Sequence, residues 1–222
     1  MPRNEYQHQL EALRANVVAM SDLVCDRFRQ ALRALEEGDE ELAEMIVTGD
    51  HEINQLYLEL ERDCIDLLAL QQPVAGDLRF IAASFKIITD LERIADLATN
   101  LGAYAQQGGR DRRERYPNID VTQIGTETIE MVEEAMGAYE ADDAARTHSI
   151  DAMDDDIDAL CEQANEAVVR DLLERDLGDD DIFEDVSRTL LTIRDIERVG
   201  DHAVNIAART LYMVENDDQL IY

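Results

Sequence analysis

The stretch Asp90-Leu91-Glu92-Arg93-Ile94-Ala95-Asp96 returns as Asp195-Ile196-Glu197-Arg198-Val199-Gly200-Asp201, and Asn100 and Ala103 are matched by Asn205 and Ala208 at the same spacing. Working outward, Ala31 to Glu36 pairs with Ala135 to Glu140, and Asp50-His51-Glu52-Ile53 with Asp154-Asp155-Asp156-Ile157. The offset is 104 in the earlier blocks and 105 in the last, a one-residue change that the turn near Pro73 absorbs. The chain is an internal duplication. Apolar residues recur at helical spacing, and only 3 prolines and 10 glycines interrupt them, which favours helix over strand. The pattern predicts helices over 4–36, 40–69, 74–106, 119–141, 144–175 and 181–215. Turns fall at Gly38-Asp39, Gln71-Gln72-Pro73 and Gly178-Asp179-Asp180, with Pro73 suited to the first turn of the next helix. Short connections between long helices make each half an antiparallel three-helix bundle. The expected fold is all-α: two pseudo-symmetric bundles over 1–109 and 119–222, joined by a linker at 110–118 that carries the basic run Arg110 to Arg115.

With 51 acidic against 20 basic residues the formal net charge is -31, and Lys86 is the sole lysine. Self-repulsion of this size opposes compaction at low ionic strength, whereas at molar salt the Debye length falls to about 3 Å. The composition therefore points to a salt-rich, halophilic cytoplasm. It also disfavours nucleic acid as a partner, because no broad basic surface is available to neutralise phosphates. No leader-like start and no apolar run of membrane-spanning length is present, so no transmembrane segment is expected. Cys25, Cys64 and Cys161 show no metal spacing and read as reduced core thiols.

On a helix advancing about 100° per residue, Ile81, Ser84, Phe85, Ile88, Leu91, Ala95 and Ala98 share one sector. Relative to Ile88, Glu92 lies about 40° round and Asp96 about 80°. Both border the core-facing stripe, as do Glu197 and Asp201 in the second half. Asp90 and Asp195 project the other way and are expected to be solvated. The middle helix of each half offers Asp50 with Asn54, and Asp154 with Asp158, flanking its own apolar stripe. Carboxylates one turn apart, completed from a facing helix, suit a hard cation. Without one they repel and raise one another's pKa values. Arg93 and Arg198, within the repeated motif, and Arg79 are candidates for an anion or partner contact. The histidines do not cluster, and His51 and His202 are expected at the surface. No phosphate-binding loop or nucleophile elbow is present, and the chain reads as a non-enzyme.

The segments Leu68-Ala-Leu-Gln-Gln-Pro-Val-Ala-Gly-Asp-Leu-Arg79, Lys86 through Asp96 and Ile193 through Asn205 resemble the PhoU family of phosphate-transport regulators over almost the whole chain. The resemblance implies multinuclear metal binding through Glu92 with Asp96, Glu197 with Asp201, and Asp154 with Asp158, the ion being iron, zinc, manganese or magnesium. Asp50 fits the same role, but Asn54 supplies an amide where a carboxylate is expected. The resemblance further implies a cytoplasmic homodimer, peripheral to the membrane, that restrains the Pst phosphate ABC transporter when phosphate is plentiful. Its partners would be the ATPase subunit of that transporter and a sensor kinase. The alternatives are a regulator of another transporter or of transcription, and a carboxylate-bridged metalloenzyme. Against the enzyme, the paired Glu-x-x-His motifs of ferritin-like di-iron sites are absent.

Overall fold

The computed structural model describes residues 3–71, 73–107, 120–174 and 180–217; the predicted linker and Gly178-Asp179 lie outside them. The described residues form the helices α1 (Arg3–Glu37), α2 (Glu40–Thr48), α3 (His51–Gln71), α4 (Ala75–Gln107), α5 (Val121–Ala141), α6 (Ala144–Glu174) and α7 (Asp180–Glu215), with no strand among them. This is the expected pair of antiparallel bundles. The first is built from α1, α2–α3 and α4, and the second from α5, α6 and α7. No helix among the described residues is long and apolar enough to cross a membrane.

The predicted helix over 40–69 is broken in two at Gly49. There the guanidinium of Arg27, on α1, and the carbonyl of Met45 each stand 2.9 Å from where a Cβ would be, so glycine lets both sit close without shifting. The Gly49 amide closes α2 by donating to Met45 O at 3.0 Å, and α3 starts afresh two residues on. Elsewhere the turn chemistry is as expected. Gly38 takes φ 64° and the Asp39 carboxylate caps α2 by accepting from the Leu42 amide at 3.0 Å, a local bond that satisfies one of the free amides at a helix start. Pro73 stands just outside α4 rather than in its first turn.

The two bundles do not hang from a linker; they share a seam. Helix α4 packs on α7, and α1 packs on α5. Arg14 of α1 closes the end of α5, donating through Nη1 to Tyr139 O and through Nη2 to Asp142 Oδ1 at 2.8 Å. Its guanidinium also covers the Phe80 and Tyr139 rings, at 4.7 and 5.2 Å from their centroids. The buried Tyr139 hydroxyl meets Ser84 Oγ of α4 at 2.7 Å. Helix α4 is accordingly buried on two sides: Ile81, Ser84, Ile88, Leu91, Ala95 and Ala98 of the expected stripe are buried, and Ile87, Ile94, Leu97 and Leu101 are equally inaccessible. All three cysteines are free and buried, with burial pushing each thiol up to about 12.

Candidate functional site

Two acidic cradles stand beside the seam, one in each half. In the second, Asp154 and Asp158 of α6 face Glu197 and Asp201 of α7. Burial comes first in pushing up the pKa of Glu197, followed by the charges of Asp158 and Asp201. Asp201 is raised by burial and by Asp158, against a downward pull from His202 and Arg198. Asp154 is displaced furthest, from 3.8 to about 6, by burial and then by Asp158, Asp201, Asp151 and Asp155. Its Oδ1 atom is buried without a hydrogen-bond partner and points at the backbone of Gly200, where an added Cβ would lie 3.0 Å away. All four residues named for this half are thus brought together.

The first cradle is built differently. Asp50 lies in the break between α2 and α3, where its two oxygens already have donors: Asn54 Nδ2 at 2.7 Å and Thr99 Oγ1 at 3.2 Å. Burial raises Glu92, helped by Asp96 and Asp50 and opposed by Arg93 and His202, and both burial and Asp50 raise Asp96. Asn54 therefore does more than replace a carboxylate. It holds Asp50, which leaves Glu92 and the exposed Asp96 as the carboxylate pair of this half that is open to a ligand.

Asp90 and Asp195 are not solvated. They are 7% and 0% exposed and form the polar centre of the seam. His202 Nδ1 lies 2.9 Å from Asp90 Oδ1, and Asn205 Nδ2 donates to the same oxygen at 3.4 Å. The duplicated counterpart is Asn100 Nδ2, donating to Asp195 Oδ2 at 3.3 Å, joined there by Tyr104 Oη at 2.9 Å. Arg194 Nη2 and Nε donate to Asp195 Oδ1 at 2.8 and 3.2 Å. Each half thus supplies an aspartate and an asparagine to the other. His202, expected at the surface, is 7% exposed, and its charge bears on Glu92 of one cradle and Asp201 of the other. His51 is exposed, as expected.

Among the arginines, Arg93 is exposed, and Arg198 is half-exposed with Nη1 3.8 Å from Asp195 Oδ1. Arg79 is partly buried, and its Nε donates to Met213 O of α7 at 3.3 Å, which ties the start of α4 to the end of α7. Among the described residues, no three His, Cys, Asp or Glu side chains converge closely enough to hold a metal ion as they stand. The cradles present clustered, mutually repelling carboxylates rather than a closed coordination shell. The all-oxygen donor set, the unpartnered Asp154 Oδ1 and the raised pKa values around it fit a hard cation better in the second half than in the first.

Fold and site together define a tandem-repeat helical protein with an acidic cradle in each half and a buried polar network between the halves. The family model described as "PhoU domain" matches twice, over residues 17–105 and 121–210, one match on each bundle. The chain belongs to the PhoU family. It is 32% identical over 214 residues to the phosphate-specific transport system accessory protein PhoU homolog of Pseudomonas aeruginosa, covering 96% of this chain and 87% of that protein. It is likewise 32% identical to PhoU homolog 1 of Methanothermobacter thermautotrophicus, over 96% of this chain and 95% of the relative. The crystal structure of PhoU from P. aeruginosa superposes with a TM-score of 0.86, covering 96% of this chain and all of that one. The phosphate transport system regulatory protein PhoU from Streptococcus pneumoniae gives 0.85 at 27% identity, with 96% and 98% covered.

Proposed function

We propose that this chain is an accessory protein of a phosphate-specific transport system. In this reading it restrains the phosphate ABC transporter when phosphate is plentiful, acts through the transporter's ATPase subunit and carries out no catalysis of its own. The observation that supports it most is the double family match, one on each half, joined to relatives named as accessory or regulatory proteins of phosphate transport. Deleting the chromosomal gene should raise phosphate uptake in phosphate-replete cells, and the wild-type gene should restore the low rate. Unchanged uptake across high and low phosphate would refute the reading. A tagged full-length chain should also co-purify with the ATPase subunit, and with a sensor kinase where the host has one. Cytoplasmic placement beside the membrane and a homodimer belong to the same reading. The excess of 31 negative charges is suited to high salt, where screening removes most of their repulsion.

In this reading the cradles bind metal. Asp154, Asp158, Glu197 and Asp201 would hold the ion in the second half, and Glu92 with Asp96 would take the leading part in the first. A bound cation would neutralise the clustered carboxylates and stiffen the outer surface on which a partner docks. Elemental analysis of protein purified without added metal tests this, with Glu197→Gln plus Asp201→Asn expected to lose most of the bound ion. Wild-type protein free of metal would remove the metal from the reading while leaving the transport role intact.

A further inference from the structure

A groove of about 710 Å³ runs outward from the second cradle along α6, bounded by Asp158 and Glu197 at one end and by Glu162, Glu166, Val169 and Leu173 along its length. Its apolar side chains are open to solvent, with Val169 44% and Leu173 78% exposed. Eight large apolar side chains among the described residues reach that exposure, and these are the two that line this groove. The duplication supplies an internal comparison: Ile65, the first-half counterpart of Val169, is also 50% exposed on α3. Two copies of the repeat therefore leave a branched apolar side chain outward at the same helical position.

We infer that this groove is the docking site for a basic amphipathic helix of a partner protein, whose apolar stripe would lie on Val169 and Leu173 and whose arginines or lysines would face Glu162 and Glu166. The charge of the groove selects the occupant. Its acidic residues outnumber its one cation, Arg170, so a basic segment complements this face better than an acidic one, and the homodimer of the proposed reading would use another face. The shape agrees, since Asp158 to Leu173 spans about 22 Å of helix and accepts a partner helix of about four turns. Apolar contact would keep such a complex together in salt that screens its ion pairs. The inference deepens the proposed transport reading by naming the chemistry of the bound segment.

The test uses the purified full-length chain and two synthetic peptides of identical basic composition, one with Leu and Arg/Lys arranged as an amphipathic helix and one with the order scrambled. The ordered peptide should bind at least tenfold more tightly than the scrambled one, and the double variant Val169→Asp plus Leu173→Asp should remove that difference while retaining wild-type helicity by circular dichroism. Equal binding of the two peptides, or ordered-peptide binding that survives the double variant, would overturn the inference by reducing it to general attraction to an acidic surface. A fall in sedimenting mass in the double variant would also overturn it, by making the occupant a second copy. The outcome separates from that of the transport reading. Co-purification of the ATPase subunit without peptide selectivity sinks the groove alone, whereas selective peptide binding without co-purification sinks the transporter as the partner.

Discussion

Asp154→Asn should stabilise the metal-free protein at neutral pH and leave it unchanged in acid. Burial and the neighbouring aspartates lift this carboxyl from 3.8 to about 6, so the folded state holds a proton that the unfolded chain has already released. Stability from this group is fully present below about pH 4 and is lost as the pH rises through about 6. Two pH units correspond to about 3 kcal/mol. The site is partly open, so solvent screening reduces the usable figure to about 1 kcal/mol. The amide resembles the protonated acid in shape and charge, and no donor to Asp154 Oδ1 is lost on substitution, because that atom has none. Chemical denaturation in EDTA should therefore give a midpoint gain worth about 1 kcal/mol at pH 7.5, or about 2–4 °C in Tm for a chain of this size, and no gain at pH 4. Saturating Mn²⁺ should reverse the order, since an ion at a hundred times its Kd stabilises the wild type by about 2.7 kcal/mol while the variant lacks one of its ligands. A variant less stable than wild type at pH 7.5 in EDTA would refute the reasoning, because it would mean that the carboxylate receives a hydrogen bond.

Four substitutions probe the frame around the cradles, each read by the midpoint of chemical denaturation. Asp195→Ala removes the acceptor shared by Tyr104, Asn100 and Arg194 at a fully buried position and should cost about 2–4 kcal/mol, whereas Asp96→Ala on the exposed rim should stay within about 0.5 kcal/mol. Gly125→Ala would place a Cβ 2.5 Å from Leu32 Cδ2, where α1 packs on α5; overpacking should outweigh the helix-propensity gain of about 1 kcal/mol and leave a net loss of about 1–2 kcal/mol. Arg27→Met introduces the residue that the second half carries at the equivalent Met131 and removes a buried, unpartnered Nη1, so it should be neutral or stabilising by up to about 1.5 kcal/mol despite losing the 3.4 Å contact with Glu52.

The helices, their turns and the duplication were legible because they depend on residues close in sequence. Gly38, Asp39 and Asp120 act on their own turns, and the apolar stripe of α4 follows from angular spacing along one helix. The break at Gly49 was not legible, since Ile46 and Ile53 keep helical spacing across it, and only the packed structure brings Arg27 of α1 against the glycine. The seam was missed although a signal for it exists: apolar residues cover far more than one sector of α4, with Ile87, Ile94, Leu97 and Leu101 opposite the expected stripe, and a helix buried on two sides reads that way.

By itself, then, the sequence determined a duplicated helical chain and the angular positions of its acids. Glu92, Asp96, Glu197 and Asp201 stand beside the core stripe because 3.6 residues make a turn, whatever surrounds the helix. Which acids lie buried was decided only when α4 met α7. A helical projection gives the direction in which Asp90 and Asp195 point but not what waits there, and what waits is the other half's His202, Asn205, Asn100 and Tyr104. Packing within each bundle, in turn, left Asp154 partly buried without a donor, while Asn54 and Thr99 satisfied Asp50. Two cradles of common origin thereby acquired different electrostatics.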